Sequence, residues 1–145
     1  MNSGFRYDME ATTPALVQFL ARSGSQRVAA AFAAAGLEGI RPLHVPLLVP
    51  LLGGGRRAAD LAAMLRVSRQ AVAQVVAVLE RDGYVERPPD PGDARAKLIC
   101  LTRRGRAALR VMRATALAIE DEWETLLGPE RLADFRETLA LLLPE

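Results

Sequence analysis

Apolar residues between positions 57 and 82 recur at the spacing of a helix and are interrupted once. Leu61, Ala62 and Leu65 lie about one helical turn apart, so they share one face of a first short helix. A second stripe follows with the i, i+3, i+4, i+7 spacing, formed by Val72, Val75, Val76 and Leu79. Ser68 precedes this stripe as a favourable N-cap, because its hydroxyl can accept a hydrogen bond from a free backbone N–H. The pattern predicts two helices that are joined by a tight turn near a right angle, the second ending near Asp82.

The pattern then changes from helical spacing to the alternation that is typical of strands. Residues 84–87 and 97–101 predict two short strands, and Ile99 and Leu101 would face inward from the second one. Residues 88–96 include three prolines and a glycine, which exclude a helix or a central strand. The prolines also stiffen this loop, so we expect it to project. The predicted fold class is mainly α with a small β-hairpin wing, a winged helix-turn-helix domain flanked by dimerisation helices.

The face of the second helix opposite its apolar stripe is polar and lies near the helix N-terminus. It carries Ser68, Arg69, Gln70, Ala73 and Gln74. Helices of this motif place their N-terminal residues on base edges in the major groove of DNA. Arginine suits guanine, glutamine suits adenine, and an alanine methyl can meet the methyl group of thymine. Each residue alone would fit an ordinary solvent-exposed face, but the set, followed by a hairpin, predicts contact with double-stranded DNA.

Basic residues of the predicted wing extend this DNA-contacting set. Arg95 lies near the tip of the hairpin, where it could reach a phosphate or a narrow minor groove. Asp93 either orients Arg95, closes the loop or serves as a plain turn residue. Arg57, Arg87 and Lys97 complete the predicted set.

Helical patterns with long apolar stripes flank this central region. A first helix is predicted from about residue 13 to 35, and Thr102 can cap a long helix that ends near Leu127, before Gly128-Pro129 and a last helix. These stripes either pack within one subunit or join two subunits. We expect a homodimer, because a helix-turn-helix reads two half-sites about 34 Å apart. The predicted interface consists of Leu16, Phe19, Leu20, Ile119, Trp123, Leu126, Phe135, Leu139 and Leu142.

A helix is expected within residues 39–55, but the prolines in this segment oppose it. Pro42, Pro46 and Pro50 are spaced by four residues, and a proline inside a helix removes a hydrogen bond and clashes with the preceding turn. We therefore expect a helix there that is short, kinked or late to begin.

Charge is unevenly distributed along the chain. Residues 56–110 carry twelve basic and six acidic residues, a balance of +6, whereas the remainder carries seven basic and eleven acidic residues, a balance of −4. The total of +2 therefore conceals a basic centre between acidic flanks. A basic patch raises affinity for any polyanion through counterion release, so it does not assign sequence specificity.

The composition is that of a soluble globular protein, with 145 residues, 50% of them hydrophobic and 25% charged. We expect one compact chain with three parts: an N-terminal dimerisation helix (1–40), a DNA-binding lobe (41–102) and C-terminal dimerisation helices (103–145). No secretory signal is recognised, and the longest apolar run, 43–52, falls short of the roughly 20 residues of a membrane span. We therefore expect a cytoplasmic protein without a membrane partner.

Catalytic and metal-binding patterns are not found. The single Cys100 cannot form an intrachain disulfide, and we expect a small, partly buried residue rather than a redox switch. One cysteine and one histidine, His44, do not make a metal cluster. We find no nucleophile with a base at a recognisable spacing and no phosphate loop, so neither a cofactor nor an enzyme is predicted.

The central segment resembles the MarR family of bacterial transcription regulators. The matching residues are Leu61-Ala62, Leu65, Val67-Ser68, Val72, Leu79-Glu80, Gly83, Val85-Glu86-Arg87, Asp93-x-Arg95 and Leu101-Thr102-x-x-Gly105. The resemblance implies an obligate homodimer that binds a pseudo-palindromic operator, usually as a repressor, and that a small molecule or an oxidant often releases. The chain departs from the family pattern at Arg66, where a glycine is common, and at Ala73 and Gln74.

The resemblance also implies a small-molecule effector at the bend between the first helix and the DNA-binding lobe. We expect a mainly apolar pocket for an aromatic or phenolic compound, lined in part by His44, Leu47 and Leu48. For His44 itself, the position alone favours an ordinary core or surface histidine. The predicted function is a sequence-specific, DNA-binding transcriptional regulator. The alternative is a winged-helix module that binds proteins and does not read DNA sequence.

Overall fold

The computed structural model describes residues 11–144 and confirms a mainly helical chain with a small β wing. Residues 1–10 of the predicted N-terminal part and Glu145 lie outside the described residues. The elements in chain order are α1 (Thr13–Ala34), a 3-10 turn (Pro42–His44), α2 (Val45–Leu48), a second 3-10 turn (Val49–Gly53), α3 (Ala58–Leu65), α4 (Arg69–Arg81), β1 (Val85–Glu86), β2 (Pro89–Asp90), β3 (Asp93–Lys97), β4 (Cys100–Leu101), α5 (Arg103–Leu127) and α6 (Pro129–Leu142).

The helix-turn-helix is formed by α3 and α4, whose axes differ in direction by 114°. Val72, Val76 and Leu79 of α4 are buried, as their spacing predicts, and Val75 is partly buried. Ala62 of α3 is buried as well, and its small side chain allows the two helices to approach closely. Among residues 11–144, no single helix has both the length and the apolarity to cross a membrane, and α3 and α4 meet that test only when joined across their bend.

The wing is more regular than the sequence indicates. β1 pairs with β4 in antiparallel fashion at its base, and β2 pairs with β3 further out. Residues 88–96, expected to be a strandless loop, therefore contribute to a second strand pair, and the predicted strand 97–101 is divided into β3 and β4. The prolines are tolerated because β2 is an edge strand with one partner, so Pro89 needs no donor on its outer side. Arg56 adds a bridge to Ile99 that the sequence did not indicate.

The core lies where the C-terminal half of α1, the proline-containing segment, α3, α4, the base of the wing and the first turns of α5 meet. Tyr84, Leu48, Leu61 and Leu79 are fully buried there. Ile99 and Leu101 of the wing are also buried, which confirms that they face inward. The hairpin is thereby anchored to the helix-turn-helix by its apolar side.

The helical flanks match their predicted bounds within one or two residues. α1 packs along α5, and α6 folds back on α5 after Gly128. Arg27 of α1 forms an ion pair with Glu122 of α5, with 2.6 Å between Nη1 and Oε2. Trp123 and Phe135 meet edge to face, with ring centroids 6.2 Å apart. The flanks are thus joined to each other within one chain, although large apolar side chains remain on their surface.

The proline-containing segment is a succession of short turns rather than one helix. A 3-10 turn, the four residues of α2 and a second 3-10 turn follow one another from residue 42 to residue 53. Each begins with a proline at its first or second position, where the missing N–H is least needed. This agrees with the expectation of a short or kinked helix.

Candidate nucleic-acid interface

The turn between α3 and α4 depends on a residue with a left-handed backbone. Arg66, which stands where related turns often carry glycine, ends α3 with φ 55° and ψ 43°. The backbone N–H of Val67 then donates to the carbonyl oxygen of Ala62 at 3.0 Å, which closes the turn. This geometry points the N-terminus of α4 away from the core.

The first turns of α4 expose the predicted base-reading residues together. The Ser68 hydroxyl accepts a hydrogen bond from the backbone N–H of Ala71 at 3.0 Å, which confirms the predicted N-cap. The predicted contact residues are all exposed, on the side opposite the buried stripe: Ser68, Arg69, Gln70, Ala73 and Gln74. The partial positive charge of a helix N-terminus adds to that of Arg69, so this end of α4 favours a polyanion.

The other end of α4 is held by Tyr84. The Tyr84 hydroxyl donates to the carbonyl oxygen of Glu38 at 2.5 Å, and the guanidinium of Arg104 lies 4.8 Å from its ring centroid. Burial raises the pKa of the Tyr84 phenol. Gly83, with φ +82°, turns the chain from α4 into the wing. α4 is thereby fixed between its cap and a buried aromatic anchor.

Thr102 and Gly105 join the wing to α5 and explain the Leu-Thr-x-x-Gly motif physically. The Thr102 hydroxyl donates to the carbonyl oxygen of Gly83 at 2.6 Å and accepts from the backbone N–H of Gly105 at 3.1 Å. A Cβ atom on Gly105 would lie 2.2 Å from the backbone oxygen of Tyr84. Only glycine therefore allows α5 to pack this closely against the residue that anchors α4.

Asp93 closes the wing loop rather than orienting the side chain of Arg95. Its Oδ1 accepts a hydrogen bond from the backbone N–H of Arg95 at 3.0 Å, which is the usual role of aspartate in a turn. Arg87, Arg95 and Lys97 are exposed on the wing. The structure thus brings three predicted cationic side chains together on one projecting hairpin.

Asp90 is a functional candidate that sequence analysis missed. Its Oδ2 accepts hydrogen bonds from Nε and Nη2 of Arg57, at 2.8 and 2.6 Å. The backbone N–H of Gly92 and the Arg57 guanidinium hold the pKa of the Asp90 carboxyl below its usual value. The pairing links residues 33 positions apart, and only the Asp-Pro-Gly turn signal marked Asp90 in the sequence. Arg57 is therefore joined to the wing, whereas the sequence suggested only a DNA contact.

The three residues expected to line an effector pocket are buried. Leu47 and Leu48 belong to the core, and His44 is 7% exposed. The His44 Nδ1 accepts a hydrogen bond from the backbone N–H of Arg41 at 3.0 Å, and burial lowers its pKa. A cavity of about 470 Å³ lies beside this segment, but its lining includes Val49 and Leu52 instead. On α5 the same cavity is lined by Arg106, Leu109, Arg110, Met112, Arg113, Ala116, Leu117 and Glu120.

Cys100 is partly buried on β4, in agreement with the structural role expected for it. Burial raises the pKa of its thiol, which disfavours the reactive thiolate form. A Cβ atom on Gly55 would lie 2.6 Å from its sulfur, so the segment before α3 packs closely on the wing at this point.

Five of the nine predicted interface residues line one apolar groove of the flanking helices. Leu20, Ile119, Trp123, Phe135 and Leu139 line a groove of about 540 Å³ between α1, α5 and α6. Leu126 and Leu142 are 80% and 70% exposed, and Leu16 is 39% exposed. Leu141 and Leu143 extend the exposed apolar surface at the C-terminal end of α6.

Comparison with protein families agrees with this architecture. A family model described as "MarR family" matches residues 38–96, which include the proline segment, the helix-turn-helix and most of the wing. The transcriptional activatory protein BadR of Rhodopseudomonas palustris is 34% identical over 94 residues. That alignment covers 65% of this chain and 53% of BadR, so the matched region spans about half of the relative.

Solved structures share the fold over nearly the whole chain. A probable transcriptional regulator from Pseudomonas aeruginosa is 30% identical with a TM-score of 0.62, covering 88% of this chain and 96% of that one. The repressor CouR, solved with a 23-mer DNA duplex, is 22% identical with a TM-score of 0.69, covering 90% and 92%. Apo MarR from E. coli is 20% identical with a TM-score of 0.66, covering 92% and 98%. The last two support the fold alone.

Proposed function

Because this chain belongs to the MarR family, we propose that it is a sequence-specific, double-stranded DNA-binding transcriptional regulator and not an enzyme. The observation that carries the proposal is the exposed N-terminal face of α4 beside an exposed basic wing. A recognition helix of this kind enters the major groove, while a wing follows the backbone or the minor groove. Such a regulator acts beside the chromosome, so we propose a cytoplasmic location.

The proposed regulator acts as a homodimer on a pseudo-palindromic operator. The apolar groove between α1, α5 and α6, together with exposed Leu126 and Leu142, supports a helical dimer interface. We keep the predicted division at about residues 40 and 102, with the central lobe reading DNA and the two flanks forming the interface. Two symmetric subunits would present their α4 helices to successive major grooves.

The dimer is tested by measuring molar mass in solution with light scattering. Wild-type protein should have twice the mass of one chain, and Leu20→Glu should shift it towards the monomer, because a charge would be buried at the interface. Arg22→Glu changes charge on an exposed position of the same helix and serves as the matched control. A monomeric wild type at micromolar concentration would contradict the proposal.

Repression is the proposed mode of regulation, since it requires only that the bound dimer occupy the promoter. The name of BadR describes an activatory protein, so a promoter-reporter assay must decide the direction. We expect reporter expression to rise when the regulator is deleted. A fall on deletion would establish activation instead.

Selection of bound duplexes from a random pool tests the DNA-binding function. The proposed regulator should enrich two inverted half-sites with centres about one helical turn apart. A protein-interaction module would enrich no sequence, and equal binding of selected and random duplexes at physiological salt would favour that alternative.

A small aromatic or phenolic acid is the proposed effector. Arg106, Arg110 and Arg113 lie on one side of α5 beside Val49 and Leu52, around the cavity of about 470 Å³. An apolar wall with guanidinium groups at its edge complements a ring that carries a carboxylate. Calorimetry with benzoate and salicylate should show binding that Arg110→Gln weakens and that Arg131→Gln, on α6, leaves unchanged. Equal binding of these acids by both variants would show that the cavity is not the effector site.

A further inference from the structure

Both oxygens of the Asp90 carboxylate are occupied by groups from different parts of the molecule. Oδ2 accepts from Nε and Nη2 of Arg57, at 2.8 and 2.6 Å, and Oδ1 accepts from the backbone N–H of Gly92 at 2.9 Å. The Asp90 side chain is 15% exposed and that of Arg57 is 44% exposed. Asp90 is the last residue of β2, and Arg57 is the N-cap residue of α3. One carboxylate therefore joins the start of the helix-turn-helix to the turn of the wing.

The connection lies where the backbone of the wing is least regular. The register of β2 and β3 shifts between Pro89 and Asp90, so the ladder of backbone hydrogen bonds is interrupted there. Pro89 lacks an N–H and cannot strengthen it. A two-stranded ribbon of this length is marginally stable by itself and can twist about its base. Contacts from its side, such as the one from Arg57, restrict that movement.

We propose that Asp90 is a positioning residue for DNA recognition, which holds the β2–β3 hairpin at a fixed angle to α4 through Arg57. This inference rests on the proposed DNA-binding function. With the hairpin held, Arg95 and Lys97 reach the backbone or minor groove while the N-terminus of α4 lies in the major groove. Without the ion pair, the hairpin samples other angles and the two contacts no longer form together in one register.

The change in DNA affinity that we expect on removing the Asp90 carboxylate is opposite to the change that charge alone predicts. Removing an acidic side chain from a surface that faces phosphates ordinarily raises affinity for every duplex, because a repulsive charge is lost. A positioning role for Asp90 requires that its removal lower affinity for the selected operator. Affinity for random duplex should remain the same or rise.

Asp90→Asn is the informative variant. The Asn side chain keeps an oxygen that can accept from the backbone N–H of Gly92, so the turn is preserved while the charged bond to Arg57 is weakened. Glu86→Gln is the matched control, because Glu86 is an exposed carboxylate at the base of the same wing. Asp90→Glu restores the charge and should recover part of the lost operator affinity.

Binding of all three variants to the selected operator and to random duplex tests the proposal. We expect Asp90→Asn to lower operator affinity about two- to five-fold, the range of a partly exposed ion pair. Its affinity for random duplex should not fall, and Glu86→Gln should change both affinities by the same factor. If Asp90→Asn raises both affinities equally, as the control does, Asp90 has no positioning role.

Amide hydrogen exchange without DNA separates this inference from the proposed function. Exchange in residues 88–98 should become faster in Asp90→Asn, whereas exchange in α4 should not change. Unaltered exchange in the wing would overturn the proposal, whatever the DNA affinity. If exchange in the wing becomes faster in Asp90→Asn but the wild-type protein does not distinguish the selected duplex from random DNA, the proposed function is refuted instead.

Discussion

At the scale of single residues, the interface depends on groups whose contacts are made within the protein and not with DNA. Gly105 is required because its missing side chain lets α5 approach the backbone of Tyr84, and Thr102 bonds to both neighbouring segments. His44 accepts a hydrogen bond from the Arg41 backbone at the start of the DNA-binding lobe. These residues act by setting the position of α4 and the wing.

Gly105→Ala should lower the free energy of unfolding by about 2–3 kcal/mol, because the added methyl group overlaps the carbonyl oxygen of Tyr84. Urea denaturation followed by circular dichroism measures this change. Gly53→Ala is the control, since a Cβ atom there meets nothing within 4 Å, and it should alter stability by about 0.5 kcal/mol or less. Equal effects of the two substitutions would contradict the close contact.

Stability should fall as the pH is lowered through the range in which histidine titrates. Burial lowers the pKa of His44 from its ordinary value of 6.5, so below that pH the unfolded chain takes up a proton that the folded chain resists. The loss is complete once the pH is below the lowered pKa, and its slope cannot exceed about 1.4 kcal/mol per pH unit.

His44 is the only histidine in the sequence, so His44→Asn isolates this effect. The Asn oxygen can accept from the backbone N–H of Arg41 but does not titrate. Denaturation of the two proteins at a series of pH values between 5 and 7.5 should show the slope in wild type and its absence in the variant. Parallel curves would exclude His44 as the source.

At the scale of elements, the helices were predictable from local patterns, whereas the second strand pair of the wing and the ion pair that supports it were not. The stripe of Val72, Val76 and Leu79 and the cap at Ser68 define α4 within one stretch of sequence. The pairing of β2 with β3 was missed because proline content argued against strands, whereas an edge strand needs few donors. The bond between Arg57 and Asp90 was missed because nothing in either residue's neighbourhood specifies the other.

The burial of the predicted pocket residues could not be predicted either, because it depends on what packs against them. Prolines 42, 46 and 50 indicated a broken helix, but not which side of each turn would face the core. The structure turns His44, Leu47 and Leu48 inward and leaves Val49 and Leu52 towards the cavity. The direction of a single turn is set by what packs against it, which no short sequence pattern contains.

The N-cap of α4 should separate helix stability from DNA affinity. Ser68→Ala removes the hydrogen bond to Ala71 and should lower stability by about 1 kcal/mol. Ser68→Asp keeps a good cap, so its stability should match that of wild type, but its negative charge should repel phosphates and weaken DNA binding. Thermal denaturation and DNA titration on both variants test this. If Ser68→Asp bound DNA as wild type does, the N-terminus of α4 would not face the duplex.

At the scale of the whole molecule, the basic centre and the acidic flanks separate two tasks. Residues 56–110 carry the positive balance, whereas the flanking helices carry the apolar surface proposed for assembly and the remainder of the chain has a balance of −4. Arg27 with Glu122, and Arg136 with Glu120, pair charges within the flanks. Acidic flanks also discourage DNA from binding along the wrong side of the protein.

Salt dependence should distinguish contacts with phosphate from contacts with bases. Arg95→Ala should weaken binding to all duplexes and reduce the slope of log affinity against log salt by about one. Gln70→Ala should leave that slope unchanged while it relaxes preference at one base pair by about 1–3 kcal/mol. Fluorescence anisotropy at several salt concentrations, with operator and single-site variants, measures both. An unchanged slope of log affinity against log salt in Arg95→Ala would show that Arg95 does not contact a phosphate.

The position of Trp123 gives the protein a built-in optical reporter. It is the only tryptophan in the chain, it is partly buried against Phe135 between α5 and α6, and it lies on the groove proposed to meet a second subunit. Its emission maximum therefore depends on whether that groove is exposed to solvent or covered by a second subunit. On dilution, a shift of the emission maximum to longer wavelength would follow dissociation of the dimer without any label, and adding DNA to an intact dimer would leave the maximum in place.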